Sequence, residues 1–362
     1  MKIAFFFPMG GGLSELKKSG QLTRFEKTEL SEYVKSFNKV ALFSYLNETR
    51  QLYKRVELLG NKKSLHRYVY AFLMPFFYAK EIREADVLRG SQLTSTIPCI
   101  VSKIIFGKKF VFNYAYEHSK FSQIEGKILQ SFILRIWESI AARIADGIIA
   151  ATPQIYSRLR RINKDTVYIP NGADTNFFKY KKRKMRTVKK ILFVGRFEKQ
   201  KNLENLIRAV KKLGDSSVIL VMIGGGSQRQ DLEEFAKKLK VNVKFIPFIK
   251  NDQLLDYYLD CDIFALVSHM EGSPKVLLEA QSTGLPTVAN ESFGKEFVKN
   301  NYNGILCRGD AQSIAKSLRK LLGDGVLRNL ISIQARKNIE KEHDIKKLMA
   351  KEIRFLKKIA NV

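Results

Sequence analysis

Ile263-Phe-Ala-Leu-Val-Ser-His-Met-Glu271-Gly-Ser-Pro-Lys-Val-Leu-Leu-Glu279-Ala-Gln-Ser-Thr-Gly284-Leu-Pro-Thr-Val-Ala-Asn290 is the stretch that decides the fold. An apolar run of strand length ends at Ser268 in a polar, glycine-containing turn. Ser273 reads as an N-cap and Pro274 as the first helical residue, with Gly284 and Pro286 as the stop before a second apolar run. Strand, loop, helix and strand in that order are the local grammar of a parallel α/β layer. Glu271 falls on the loop and Glu279 in the second helical turn, with the helix N-terminus between them. The positive dipole end and free N–H groups there favour phosphate or sugar oxygens, while the two carboxylates can accept from hydroxyls. Phosphate and hydroxyls at one helix start point to a nucleotide-sugar site.

The same alternation runs outward in both directions. Strands are expected at Lys2–Phe7, Lys39–Ser44, Val87–Arg89, Phe110–Tyr114, Gly147–Ala151 and Thr166–Ile169, separated by helical stretches such as Gly12–Phe37 and Leu65–Arg83. A second series follows at Ile191–Val194, Val218–Ile223, Val243–Ile246, Ile263–Val267, Pro286–Ala289 and Gly304–Cys307. Two successive series predict two Rossmann-like domains rather than one barrel. The basic, acid-free run Lys179–Lys190 reads as an exposed linker between them.

Glu271-Gly-Ser-Pro-Lys-Val-Leu-Leu-Glu279-Ala resembles the Glu-x7-Glu signature of the retaining glycosyltransferase family 4, the glycosyl transferases group 1. The resemblance is strong from about Ile169 to Leu322 and weaker before that. It implies the α/β GT-B fold, two Rossmann-like parallel-sheet domains facing a central cleft. Residues 1–178 would form an acceptor-binding domain, with the helix 344–362 packing back on it, and residues 179–343 a nucleotide-sugar-binding domain. Gly272, Ser273, Pro274, Lys275 and Val276 would then meet the donor phosphate and sugar, Glu271 the transferred sugar, and Glu279 the ribose hydroxyls.

Further motifs follow from the same resemblance. Val194-Gly195-Arg196 with Lys201 is similar to the family's loop for the diphosphate. Arg196 offers a planar fork and Lys201 a point charge to the leaving group as its negative charge grows. Gly224-Gly225-Gly226 is similar to the family's glycine turn, with Gly225 as its donor contact, and it is no Walker loop because no Gly-Lys-Ser/Thr ending follows. Ile249 lies on the loop that lines the base pocket in the family. Pro8-Met-Gly10-Gly11-Gly12 resembles the glycine loop that approaches sugar and diphosphate from the first domain, with Gly11 at its centre. His118 stands for the family's histidine near the transferred sugar, two or more positions late, with Tyr114, Tyr116 and Glu117 as alternatives for that place. No metal site is expected, since no His/carboxylate cluster suggests one and the resemblance implies metal-independent catalysis.

Composition sets the outer limits. The 362 residues suffice for two cores, and 45% hydrophobic with 27% charged content fits a globular protein. Cys99, Cys261 and Cys307 have no metal or redox spacing and read as reduced, buried residues. The apolar-aromatic stretch Tyr68–Ala79 is too short to span a bilayer, and the first residues lack the order of a secretory signal. The expected location is therefore the cytoplasm, on the inner face of the membrane. A net charge of +29 is compatible with nucleic acid, but no zinc-finger, basic-zipper or RNA-recognition signature supports that partner. Attachment to an anionic membrane surface fits the charge better. The reading is a retaining, metal-independent glycosyltransferase with no cofactor. It would use a UDP- or GDP-linked sugar as donor and a glycan, glycolipid or polysaccharide, lipid-linked or not, as acceptor. A GT-B sugar-nucleotide epimerase and a basic nucleic-acid-binding protein are the alternatives.

Overall fold

The computed structural model describes residues 1–50, 52–115, 117–124, 126–183 and 187–361, with the backbone alone at 118, 121 and 124. The chain divides into two compact units, Met1–Pro170 with Lys346–Val362, and Asn171–Ile345.

The first unit opens with β1 (Lys2–Phe6), α1 (Leu13–Lys18), α2 (Leu22–Arg24), a π-helical turn at Phe25–Leu30 and α3 (Ser31–Ser36). β2 (Lys39–Phe43) and β3 (Val56–Leu59) follow, then α4 (Arg67–Phe77), α5 (Ala79–Glu84), β4 (Val87–Ser91), α6 (Thr96–Phe106) and β5 (Phe110–Tyr114). α7 (His118–Ile124), α8 (Ile128–Ile144), β6 (Gly147–Ala150), α9 (Pro153–Leu159) and β7 (Thr166–Tyr168) complete it. All seven strands are parallel, in the order β3-β2-β1-β4-β5-β6-β7. The order reverses between β1 and β4, whose register pairs Ile3 with Val87.

Three expectations give way here. The helix Gly12–Phe37 is interrupted, because Gly20 turns left-handed (φ 62°) and splits it into short pieces. Leu65–Arg83 becomes α4 and α5, broken at Tyr78, whose hydroxyl donates to the Gly60 carbonyl at 2.5 Å. β3 had no sequence counterpart. It is an edge strand, half-buried along most of its length, so its apolar pattern is weak.

The second unit contains β8 (Lys189–Val194), α10 (Leu203–Leu213), β9 (Val218–Ile223), α11 (Arg229–Lys238), β10 (Val243–Ile246), α12 (Leu254–Asp260) and β11 (Ile263–Leu266). α13 (Lys275–Ser282), β12 (Thr287–Asn290), α14 (Glu291–Gly294), β13 (Ile305–Cys307), α15 (Ala311–Gly323) and α16 (Gly325–Glu342) follow. Its six parallel strands run β10-β9-β8-β11-β12-β13, with the reversal between β8 and β11. Strands buried on both faces read as continuous apolar runs, which is why Val218–Ile223 and Ile263–Leu266 are so legible.

Asn171–Phe178 belong to the second unit rather than the first, since Phe178 is buried in its core against Tyr258. The basic run after it is no free linker at its start. Arg183 donates to the carbonyls of Tyr258 (2.7 Å) and Cys261 (2.6 Å) at the end of α12, and residues 184–186 lie outside the described residues. The last helix, α17 (Ile345–Ala360), packs on the first unit. Its Glu352 is buried and accepts from Arg89 of β4 at 2.9 Å and from the Tyr33 hydroxyl of α3 at 2.5 Å. The three cysteines are buried and free, and burial pushes the Cys261 and Cys307 thiols up to about 12.

Candidate active site

In a parallel sheet every strand ends on the same edge, and the loops that leave a reversal of strand order part to opposite sides. In the second unit that reversal lies between β8 and β11. The loops leaving these two strands carry Gly195 to Lys201 and Ser268 to Pro274.

The two loops are laced together. His269 donates its N–H to the Gln200 carbonyl at 2.9 Å, and Gln200 Nε2 returns a bond to the Met270 carbonyl at 2.6 Å. Lys201 Nζ then meets Glu271 Oε1 at 2.6 Å, with both side chains only 12% exposed. Ser268 Oγ donates to the same Glu271 oxygen at 2.6 Å. Asn202 holds a left-handed backbone (φ 58°) and donates to the carbonyls of Val267 and Gly309, tying the third neighbouring loop to the pair. A half-buried ion pair with such short bonds holds both side chains in one geometry.

Arg196 is exposed and makes no side-chain hydrogen bond or ion pair among the described residues. Its neighbour Glu198 accepts from the Ser227 hydroxyl at 2.7 Å, and that bond, with the Ser227 N–H and the Arg196 charge, lowers its pKa. Thus the loop after β8 presents the paired Lys201 and the exposed Arg196 at the sheet edge.

α13 starts one residue later than the sequence predicts. Pro274 is its N-cap, because the Ser273 hydroxyl is already taken: it accepts from the Asn171 N–H at 3.1 Å, while Asn171 Nδ2 donates to the Ser273 carbonyl at 2.7 Å. Gly272 is half-buried on the turn, and Lys275 and Val276 form the first helical positions, whose N–H groups have no intrahelical acceptor. The other end is a Schellman stop, with Leu285 N–H bonded to the Ala280 carbonyl and Gly284 N–H to that of Gln281.

Glu279 sits one turn further along, 2% exposed. Asn251 Nδ2 donates to its Oε1 at 2.9 Å, and the Tyr258 hydroxyl to its Oε2 at 3.0 Å. Burial, and then this carboxylate, hold the Tyr258 phenol well above its ordinary pKa. Each carboxylate oxygen has two lone pairs and can accept from more than one donor. Asn251 and Tyr258 were not singled out from the sequence, since they come from a turn and a helix unrelated in spacing to Glu279.

Gly224 and Gly226 have a structural duty. A Cβ on Gly224 would lie 1.9 Å from the Gly195 carbonyl oxygen, so the loop after β9 fits under the loop after β8 only with glycine there. Gly225 is different: a Cβ there would meet nothing within 4 Å. Ile249 is half-buried against the core, and Phe248 beside it is 53% exposed.

The sequence-named residues of the first unit form their own setting. Gly11 lies in the turn after β1, donating to the Pro8 carbonyl at 2.8 Å. The start of α1 beyond it is occupied by protein: Glu48 accepts from the N–H groups of Leu13 and Ser14, both at 2.8 Å. Burial opposes the Glu48 charge, but these bonds and those from the Ser14 and Ser44 hydroxyls outweigh it and lower its pKa. His118 begins α7, and its side chain, like residue Tyr116, lies outside the described residues. Tyr114 is fully buried with its hydroxyl on Glu138, and Glu117 pairs with Arg158 at 3.0 Å. Groups of three or more candidate metal ligands are absent among the described residues.

The model of the glycosyl transferases group 1 family matches residues 174–338, nearly the whole second unit. An uncharacterized glycosyltransferase of Methanocaldococcus jannaschii is 34% identical over 160 residues, 43% of this chain and 41% of that protein. The chain spans between 40% and 60% of the length of the first curated relatives it matches. Among solved structures, the sucrose-phosphate synthase of Thermosynechococcus elongatus superposes with a TM-score of 0.82 at 17% identity, covering 99% of both chains. Anabaena HepE in complex with UDP gives 0.75 at 18% identity, over 99% of this chain and 100% of that one. Both likenesses carry the fold, which is GT-B. Residues 174–338 are thus similar in sequence to the glycosyl transferases group 1 family, in a chain whose fold is GT-B.

Proposed function

We propose that the protein is a retaining glycosyltransferase that moves a sugar from a UDP- or GDP-linked donor to a glycan or lipid-linked acceptor. The observation that carries this reading is the Lys201–Glu271 pair, which joins the two loops at the strand-order reversal beside the start of α13. A cation and a carboxylate side by side at a helix N-terminus suit a diphosphate bearing a polyhydroxylated ring. UDP in the Anabaena neighbour supports a nucleoside diphosphate as the common element.

In this reading Arg196, Lys201 and the first N–H groups of α13 take the diphosphate. Negative charge grows on that group as its bond to the sugar carbon breaks, so cations fixed in advance stabilise the transition state more than the ground state. Glu271 accepts from sugar hydroxyls and orients the ring, and the Glu279 carboxylate accepts from the ribose hydroxyls. The acceptor oxygen forms the new bond to the sugar carbon on the face the diphosphate leaves, and its proton passes to a leaving phosphate oxygen. No metal is required by this charge arrangement. In this reading the second unit is the donor domain and the first unit the acceptor domain.

The test is a panel of nucleotide sugars offered to the purified chain without acceptor. Slow hydrolysis of a UDP- or GDP-sugar, releasing sugar with its anomeric configuration kept, is expected. Release of an epimerised free sugar would assign an epimerase instead. Failure to bind or turn over any nucleotide sugar would overturn the reading.

A further inference from the structure

The helices that follow β3, β4 and β5 lie side by side, α4 packed on α6 and α6 on α8. Their outer surface is apolar to an extent that folding of this unit does not use.

α8 is built inside out. Its buried residues include Ser131, Glu138 and two alanines, whereas Ile128, Leu129, Phe132, Ile133, Ile136 and Ile140 are 40% to 75% exposed. Their spacing is that of one helical stripe, the pattern expected of a face that meets an apolar phase. α4 is apolar all round: Tyr70, Ala71 and Met74 point inward, and Tyr68, Phe72 and Phe76 stand 51% to 53% exposed. Ile104 of α6, 74% exposed, lies on the helix between them. A single exposed apolar side chain means little, but three adjacent helices exposing them together mark an interaction surface.

Charge identifies the occupant. α4 and α6 contain no acidic residue, and the one acid of α8, Glu138, is buried against Arg158 and Tyr114. The cations are set among the rings: Lys63 Nζ is 4.5 Å from the centre of the Phe77 ring, and Arg67 and Arg83 lie 5.2 Å and 5.0 Å over Tyr68 and Phe106. Arg135 projects from the exposed stripe of α8. Aromatic and aliphatic side chains rimmed by cations match the boundary of a bilayer with anionic headgroups. A second copy would bring a like charge of +29 onto the same surface, which disfavours self-association. No helix among the described residues is long and apolar enough to cross a membrane.

We propose that the face formed by α4, α6 and α8 docks the first unit on an anionic lipid bilayer, with Phe72, Phe76, Phe132 and Ile136 entering the acyl boundary and Lys63, Arg67 and Arg135 meeting the headgroups. This attachment is independent of the donor chemistry, since it uses no residue of the second unit.

Co-sedimentation of the full chain with phosphatidylglycerol and with phosphatidylcholine vesicles, at low and high salt, tests it. Wild type should pellet with phosphatidylglycerol and release with salt. Phe132→Ser combined with Ile136→Ser should weaken that binding at least about tenfold, because two apolar side chains no longer leave water. Arg67→Glu combined with Arg135→Glu should lose the preference for the anionic lipid, whereas Val326→Ser, at a site 84% exposed on the second unit, should bind as wild type. All variants should keep their circular dichroism and their affinity for uridine diphosphate by calorimetry, so a failed donor assignment cannot pass for a failed membrane face. Equal wild-type binding to both vesicles, or wild-type binding by the Phe132/Ile136 variant, overturns the proposal. So does sedimentation velocity showing a dimer that the same variant dissociates while its vesicle binding is unchanged.

Discussion

Both units reverse their strand order between their first and fourth strands, yet they use the helix starts beside that reversal differently. In the first unit the start of α1 is filled from within, by Glu48 on the Leu13 and Ser14 N–H groups. A Cβ on Gly12 would lie 2.4 Å from that carboxylate, so this glycine is explained by an internal neighbour. In the second unit the N-cap of α13 is Pro274, which has no side-chain acceptor; the nearby Glu271 pairs with Lys201, and Arg196 is exposed. One topology thus closes a helix start with its own side chain in one domain and, in the proposed function, offers one to an external anion in the other. The buried charges follow the same division. Arg89, Glu352 and Glu138 hold helices to the first sheet, while Lys201 and Glu271 of the second unit meet at a strand end.

If that contrast is correct, charge removal in the first unit should damage stability and spare nucleotide binding. Glu352→Ala strands the buried Arg89 guanidinium, so unfolding of the first unit should become easier by about 3–5 kcal/mol. Denaturation by urea measures this, and uridine diphosphate affinity of the folded fraction should stay at the wild-type value. A variant as stable as wild type would mean that α17 is held by its apolar side alone.

In the second unit the largest effect on binding should come from Glu279→Ala. Loss of a charged acceptor from the ribose should weaken nucleotide binding by about 1–3 kcal/mol in calorimetry. Stability should fall as well, because Asn251 and Tyr258 lose their common acceptor. Unchanged affinity would remove Glu279 from the ligand and leave it a core residue. Arg196→Ala and Lys201→Ala should act on turnover, each lowering it at least about tenfold, which is about 1.4 kcal/mol. Wild-type turnover in both would separate the diphosphate from this loop.

Glu48→Gln sharpens the comparison from the other side. Weakening an N-terminal carboxylate should cost about 1 kcal/mol of first-unit stability and leave nucleotide affinity untouched. Tighter nucleotide binding in this variant would show that α1 is also an anion site, and the contrast between the units would fail. The smallest effect is expected of chelation: activity should persist in EDTA, and recovery only with magnesium or manganese would contradict the charge arrangement proposed for the donor.

How far these contrasts were legible in the sequence depends on where each signal resides. Strands buried on both faces, such as Val218–Ile223, announce themselves by continuous apolar runs, and the edge strand Val56–Leu59 does not. α16, Gly325–Glu342, was missed as an element because its polar and apolar residues are nearly evenly spread around the helix. Glu271, Lys201 and Glu279 were named singly from local motifs. The pairing of Lys201 with Glu271 was not, since that bond spans 70 residues and depends on the strand order. The start of α13 was placed one residue early for a similar reason. Ser273 has the chemistry of a cap, but Asn171, about a hundred residues away in sequence, claims its hydroxyl. Local pattern writes the elements, and topology decides which polar groups meet.

The contrast between the two helix starts is tested most directly by a crystal structure of the full chain with a hydrolysis-resistant nucleotide sugar. The account predicts the diphosphate on Arg196, Lys201 and the N–H groups at residues 272–276, with the sugar hydroxyls on Glu271. A diphosphate seated at Gly11 and the start of α1, with Glu48 displaced and the loops of the second unit unoccupied, would contradict it.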